Sequence, residues 1–437
     1  MRRFVSPCVI FLCFSLIVSF IGCGPVAGSG KPGQPTIRVW HWMTDREPTF
    51  QKLAKKYEEM TGVRVEFELY APSDAYSQKV RAAAQGMTLP DVFGLLGEKR
   101  DFSSFIKAGH ILDLTAYMEE NNNAWKNTFF AKALAVNEFP ADNIYGVKPG
   151  FYGVPLDVMT IKMLYNKDLF KSLGFNPQRP PATFAELLEV GKKIKEANTL
   201  GLVSGWGEIW MIDCFANNYA FNIMGKDKVL DTIRGKVPYT DPDWIKVFGL
   251  FKELHEAGVF ANGLVTMVNK TAEQLFANGR AVFAFNGSWC VNVYKEMNPD
   301  LNYGVMMPPK VSDKFPMMVW GGAGSSLMVN ARSNKREEAV KFLKWLTDKE
   351  QQAFLAGETN NLPSNKDSVS KLPEILAQFS RDMEQTTHPN TWGVSEFPAV
   401  IEALDKGIQS IIIGESTPEQ LAGYVQNIKE RELAKKR

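Results

Sequence analysis

The chain has 437 residues, 45% of them hydrophobic, which suits two or three domains or one large two-lobed unit with substantial cores. Fifty basic residues face 48 acidic ones; if Arg2 and Arg3 leave with a signal peptide, 48 face 48, and a nucleic-acid surface, which needs a basic excess, has no support. Only four histidines are present, and no HExxH, CxxC pair or GxxxxGK[ST] occurs, so zinc-protease, zinc-ribbon and P-loop readings lack their carrier residues.

Met1-Arg2-Arg3 is a charged start, and Val9–Ile21 is an apolar run too short for a comfortable membrane helix. Together they read as a signal peptide over residues 1–22. Ile21-Gly22-Cys23 resembles the bacterial lipobox, in which the cysteine is acylated, with Phe20 where that motif usually has Leu. Lipidation at Cys23 is the expectation; plain secretion and an uncleaved anchor stay open at this point. Residues 23–35, rich in Gly and Pro, read as a flexible tether. No later stretch is long and apolar enough to span a membrane. Cys214 and Cys290 could be bridged outside the cytoplasm, but two buried free thiols are the favoured reading.

Ile37 and Val39 alternate with polar neighbours in a first strand that ends at Trp40-His41-Trp42. Thr44-x-x-Glu47 reads as a capping box for a helix with the face Phe50, Leu53, Ala54 and Tyr57, stopped at Gly62. Val63, Val65, Phe67 and Leu69 alternate as a second strand. A helix around Tyr76–Gln85 and a third strand near Pro90-Asp91-Val92 follow. That order predicts a βαβ sheet with ligands at the strands' carboxyl ends, where Trp42 and Asp45 fall.

Further on, Thr183-x-x-Glu186 opens a helix over Phe184, Leu187, Leu188 and Ile194, and Asp241-Pro242 opens another. Between them, Gly205-Trp206-Gly207-Glu208-Ile209-Trp210 sets two tryptophans around a carboxylate among small, flexible residues, which is poor core material. Thr271 and Gln274 read as a capping box, Gly279 as a left-handed stop, and Ala281–Phe285 as a strand buried on both faces. Asn286-Gly287-Ser288 then turns and delivers Trp289 beyond the strand's carboxyl end. Spacing alone leaves Trp289 open between a core residue and a ligand platform.

This last stretch resembles a signature of the extracellular solute-binding proteins of ABC importers, in the large family that includes maltose- and oligosaccharide-binding proteins. The matching residues are Phe276, Gly279-Arg280, Ala281–Phe285 and Gly287-Ser288-Trp289. In the family's order there are also Pro90-Asp91-Val92, the segment 109–115, Tyr152-Gly153-Val154-Pro155, Tyr165-Asn166-Lys167-Asp168, the helix start at Thr183, the helix 339–347 and Asn361-Leu362-Pro363. The resemblance spans about residues 36–430.

It implies an α/β, periplasmic-binding-protein-like fold: two α/β lobes, a central ligand cleft, and three interlobe crossings near residues 157, 320 and 362. Lobe one would take 36–157 plus 322–362, and lobe two 158–321 plus 363–437. The implied function is capture of an extracellular sugar or oligosaccharide and its delivery to membrane ABC permease subunits. The implied protein is a monomer on an N-terminal lipid anchor, facing the periplasm or cell exterior, that catalyses no reaction and needs no cofactor, metal or nucleic acid.

Sugar rings offer apolar faces to flat aromatic side chains and hydroxyls to polar groups. Trp289 best matches a sugar-stacking tryptophan of the family. Trp206, Glu208 and Trp210 fall where the family places an acidic and aromatic pair, and Trp392 where it places another aromatic. Trp42, Trp320, Asp45, Glu98 and Asp157 complete the candidate set, being nearest to predicted strand ends or crossings. For the last three a solvated surface role stays open. Trp40, and Trp125, Trp244 and Trp345 in helical patterns, read as packing. Two other functions stay open: binding of a non-sugar solute such as a polyamine or metal chelate, and a glycan-acting surface enzyme working through two carboxylates. No nucleophile–base pair supports the enzyme.

Overall fold

The computed structural model describes residues 34–435 apart from 72, 97–98, 144, 323 and 389–390. The signal peptide, the lipidation candidate Cys23, most of the tether and the site candidate Glu98 lie outside the described residues.

The first sheet has five strands in the order Arg64–Leu69, Thr36–His41, Val92–Gly94, Ser326–Val329, Val154–Pro155. The first three are parallel, as strands joined through helices must be, and the last two join antiparallel. Helix Glu47–Thr61 buries the Phe50, Leu53, Ala54 and Tyr57 face that its spacing predicts, and it stops at Gly62 with φ +72°. The expected cap at Thr44 does not form. Residues 44–46 make a 3-10 turn instead, and the Glu47 carboxylate turns back to Nε2 of the buried His41 at 2.7 Å. A fully buried imidazole needs a partner more than a helix end in water does.

The second sheet has four strands in the order Tyr303–Met306, Ile161–Asn166, Ala281–Gly287, Leu200–Val203. Ala281–Gly287 is buried at every residue, with an antiparallel neighbour on one side and a parallel one on the other. The helix before it runs Asn269–Ala277, so Thr271 sits within its first turn rather than capping it; Gly279, at φ +67°, ends it as expected. Thr183 and Glu186 form the predicted capping box, and Asp241 caps helix Pro242–Glu256. Helices Trp210–Ile233, Pro242–Glu256, Pro398–Ile412 and Pro418–Ala434 contribute to the largest apolar core, on this sheet. Cys214 and Cys290 are buried and free.

The chain leaves the first sheet after Val154–Pro155, returns to it at Ser326–Val329, and leaves again past Leu362–Pro363. Beyond that point Lys162 of the second sheet caps the helix Glu374–Ser380 by donating to the Gln378 and Arg381 carbonyls at 3.0 and 2.8 Å. The molecule is therefore the two-lobed α/β fold with three crossings. Among the described residues no helix is long and apolar enough to cross a membrane.

Candidate ligand-binding site

The second lobe gathers three tryptophans at one sheet edge. Trp289 follows the strand Ala281–Gly287, whose last residue must be glycine: a Cβ on Gly287 would fall inside the Trp289 ring. The indole can therefore fold back over the strand end. Beneath it, the Asn286 amide donates to Glu273 at 3.1 Å and accepts the Gly287 N–H at 2.8 Å. Burial pushes the Glu273 carboxyl up, against bonds from Asn286, Asn269 and Trp289 that hold it down. Trp210 lies 6.1 Å from Trp289 and 6.4 Å from Trp320, centroid to centroid, with interplanar angles of 41° and 62°. Trp320 belongs to the second crossing; its carbonyl accepts from Ile161 N–H at 2.9 Å, at the strand pair Gly287–Ile161.

Trp210 is 38% exposed. The turn before it explains how. Ile209 holds φ +52° and ψ −48°, a conformation that costs a β-branched residue about 1–3 kcal/mol and that recurs at ligand sites. It redirects the chain from the 3-10 turn Trp206–Glu208 into helix Trp210–Ile233 and places Trp210 on the helix's first position.

In the first lobe, Trp42 is half-buried just past strand Thr36–His41. Its ring lies against the backbone of Gly94, where any Cβ would strike it, and 5.3 Å from the Tyr76 ring. Tyr76 is itself fixed by donating to the Trp40 and Gly94 carbonyls at 3.0 and 2.7 Å. Each lobe thus presents an indole laid over a glycine at the carboxyl end of a strand, the edge where open α/β sheets hold ligands.

Five candidates make contacts within the protein. Trp206 has no exposed surface; its ring packs on Phe215, Phe251 and Phe260 at 5.5, 5.9 and 5.0 Å. Trp392 is likewise fully buried, 5.3 Å from Trp244. Neither has a free face to offer a ligand. Glu208 caps a neighbour: it accepts the Asn269 N–H, in the first turn of helix Asn269–Ala277, at 2.9 Å. Asp157 is buried, paired with the Arg46 guanidinium and bonded by Ser325 N–H at 2.6 Å. Asp45 is exposed but accepts from Asn361 at 3.0 Å and from Arg46 at 3.4 Å.

Three residues were missed. Ile209 carries no sequence signal, since nothing marks a strained isoleucine in a string of letters. Arg46 could have been suspected, as a basic residue beside Asp45 at a strand end. His388 packs edge-on against Trp320 at 5.6 Å. Burial, reinforced by Lys99 and Lys132, pushes its imidazole down to about 3, so it is neutral at physiological pH. Its Nδ1 has no hydrogen-bond partner among the described residues. Lys132 stands nearby and donates to the Thr386 carbonyl at 3.0 Å. Among the described residues no group of three His, Cys, Asp or Glu could hold a metal ion. The arrangement offers flat ring faces, backed by the buried imidazole of His388, which suits reversible contact with a partly apolar, partly hydroxylated molecule.

The sequence profile of the bacterial extracellular solute-binding proteins matches residues 52–384. The galactooligosaccharide-binding protein of Bacillus subtilis is 22% identical over 430 residues, 96% of this chain and 95% of that protein. The multiple sugar-binding protein of Streptococcus mutans is 24% identical over 334 residues, 74% and 73% of the two chains. The solved structure of a chitin oligosaccharide binding protein superposes with a TM-score of 0.74 at 24% identity, over 92% of this chain and all of that one.

Proposed function

The chain belongs to the bacterial extracellular solute-binding proteins, and from that premise we propose that it captures a sugar or oligosaccharide between its lobes and delivers it to the permease of an ABC importer. The observation that carries this reading is the ring group Trp210–Trp289–Trp320, spaced 6.1 and 6.4 Å, with Trp210 open to solvent. Pyranose rings present the apolar faces that such a group stacks on. Similarity over most of the chain to proteins named for oligosaccharides supports the same class. A polyamine would call for free carboxylates in the site, and Asp157 is buried against Arg46.

In this reading Trp42 closes on the sugar from lobe one, residues 36–157 plus 322–362, and residues 158–321 plus 363–437 form lobe two. The protein works as a monomer, returns its ligand unaltered, and is held at the cell envelope by acylated Cys23. Mass spectrometry of the membrane-derived protein should find a mature chain starting at lipidated Cys23. A thermal-shift screen against mono- and oligosaccharides tests the function itself. A ligand at 100 times its Kd adds about 2.7 kcal/mol of stability. A shift with glycerophosphates or polyamines and none with any carbohydrate would overturn the proposal, and sugar recovered cleaved would make the protein an enzyme.

A further inference from the structure

The three crossings do not run separately; they form a small ribbon. Asp157–Val158 of the first pairs antiparallel with Leu362–Pro363 of the third. On its other side, Leu156 N–H donates to the Ser325 carbonyl at 2.8 Å, Gly322 N–H donates to the Met159 carbonyl at 3.0 Å, and Thr160 bridges Gly321, all on the second crossing. The first crossing is thus the middle strand, and Asp157 is its centre. Gly324 sits so close that any Cβ there would collide with the Asp157 carboxylate and carbonyl.

Arg46 reaches this ribbon from lobe one, from the turn after the first strand. Its guanidinium pairs with Asp157 on the first crossing and lies 3.4 Å from the Ser325 hydroxyl on the second. Through its neighbour Asp45 it touches Asn361 on the third, at 3.0 Å. Other lobe-one groups hold the third crossing as well: Gln352 accepts the Ser364 N–H at 2.9 Å, Asn365 donates to the Thr347 carbonyl at 3.0 Å, and Ser368 donates to the Lys349 carbonyl at 2.9 Å. Bonds from the crossings into lobe two all have neutral acceptors: Asn360 donates to Asn292 at 2.9 Å, the Thr160 hydroxyl to the Phe379 carbonyl at 2.9 Å, Ser288 N–H to the Thr160 carbonyl at 3.0 Å, and Val319 N–H to the Gln385 carbonyl at 3.0 Å.

Arg46 and Asp157 are 7% and 3% exposed, which decides how the hinge can move. Separating the ion pair leaves the Asp157 carboxylate buried without its cation, a heavier cost than opening neutral hydrogen bonds one at a time. We infer that the Arg46–Asp157 pair pins the whole ribbon to lobe one, so that the lobes turn on the lobe-two side of the ribbon, at residues 159–160, 320–322 and 372–373. Gly322, at φ +92°, and the Leu372-Pro373 step before the Lys162-capped helix lie at those points. Asp157 is then a positioning residue for capture rather than a ligand contact. The inference deepens the two-lobed capture reading, and it can be tested without any ligand.

Spin labels at the exposed positions Glu59→Cys and Glu196→Cys, one on each lobe, report the interlobe distance of the ligand-free protein by pulsed EPR. The apolar double replacement Arg46→Met/Asp157→Leu removes both charges together and leaves neither buried alone. It should melt near the parent, and its distance distribution should broaden, because lobe one gains freedom against the ribbon. A folded double variant with the parent's distribution overturns the inference. Amide exchange on the unaltered chain decides the matter even if the double variant fails to fold. The Leu156 amide should exchange with the lobe-one core, and the Gly322 amide at least about tenfold faster, about 1.4 kcal/mol in opening free energy. Equal rates, or the reverse order, also overturn it. Because no sugar is used, this result stands whether or not the carbohydrate screen succeeds.

Discussion

Trp206 and Trp210 stand four residues apart in one glycine-rich turn, yet the first has no exposed surface and the second is 38% exposed. The same contrast divides the second lobe. Trp206, Trp244 and Trp392 lie inside its core, whereas Trp210, Trp289 and Trp320 form a partly open group at the sheet edge. Identical side chains thus serve two ends, and the flanking residues misled: Gly205 and Gly207 read as too small and flexible for a core. In the structure those glycines permit close packing. A Cβ at Gly205 would meet Asn269 at 2.8 Å, and one at Gly207 the Thr266 carbonyl at 2.7 Å. A small residue beside a tryptophan marks tight backbone approach as readily as an open site.

The sharpest way to break this comparison is truncation in the core. Trp206→Ala removes a fully buried indole from among three phenylalanines and should cost about 3–5 kcal/mol of stability. Molecules that remain folded should bind with near-normal affinity. A Trp206 variant that melts like the parent but loses its ligand would put the core and the site the wrong way round.

Next in size is Trp289→Ala. A central aromatic anchor costs about 2 kcal/mol or more on truncation, which weakens Kd roughly 30-fold. Apo stability should fall much less than for Trp206, because Trp289 is only half-buried. Calorimetric titration and apo melting done side by side read both quantities. Unchanged affinity with a collapsed melting temperature would move Trp289 into the packing group.

His388 adjoins the open group, against Trp320, and its titration gives a third effect. Its folded pKa, about 3, lies below the unfolded value of about 6.5. Between those values the unfolded chain binds a proton that the folded chain refuses. The stability His388 supports is therefore complete above pH 6.5 and is lost as pH falls towards 3, by up to about 1.4 kcal/mol per pH unit. His388→Asn should flatten the parent's stability-against-pH curve over that window. Parallel curves for parent and variant would show that the imidazole is not held neutral.

The order of elements was largely legible. The apolar alternation at Ile37–Val39 and Val65–Leu69, the stops at Gly62 and Gly279, and the cap at Thr183 are local signals, and local physics realises them. The site was legible only in part. Gly287-Ser288-Trp289 signalled an indole at the strand end, and the glycine is what the folded-back ring requires. Asp157 is a ligand candidate from its place at a crossing and Glu208 from the resemblance, and neither signal shows a carboxylate's partner in the fold. Their partners, Arg46 and the Asn269 amide, are 111 and 61 residues away, beyond anything spacing can reveal. The caps at Thr44 and Thr271 failed for a related reason: Glu47 is drawn to a buried histidine, and helix Asn269–Ala277 finds its acceptor in another loop.

The smallest expected effect tests the residue that separates the two tryptophans. Ile209 lies between Trp206 in the core and Trp210 in the open, and its backbone is held near the strained γ-turn conformation, which glycine tolerates better than isoleucine. Ile209→Gly relieves part of about 1–3 kcal/mol of strain and forfeits part of the burial of a half-buried isoleucine, so apo stability should stay within about 1 kcal/mol of the parent. Binding should respond differently. Without the strained turn, Trp210 is no longer pre-set against Trp289 and Trp320 and must be ordered by the ligand itself. Ordering one such side chain costs about 0.5–1.5 kcal/mol, a Kd weakened about 2- to 12-fold, from a substitution that touches none of the three rings' own atoms. A stability gain together with an affinity loss would show that the strain is kept for aim. If affinity is unchanged while the melting temperature rises, the turn has no part in placing Trp210, and the difference between the two tryptophans must come from the helix that follows.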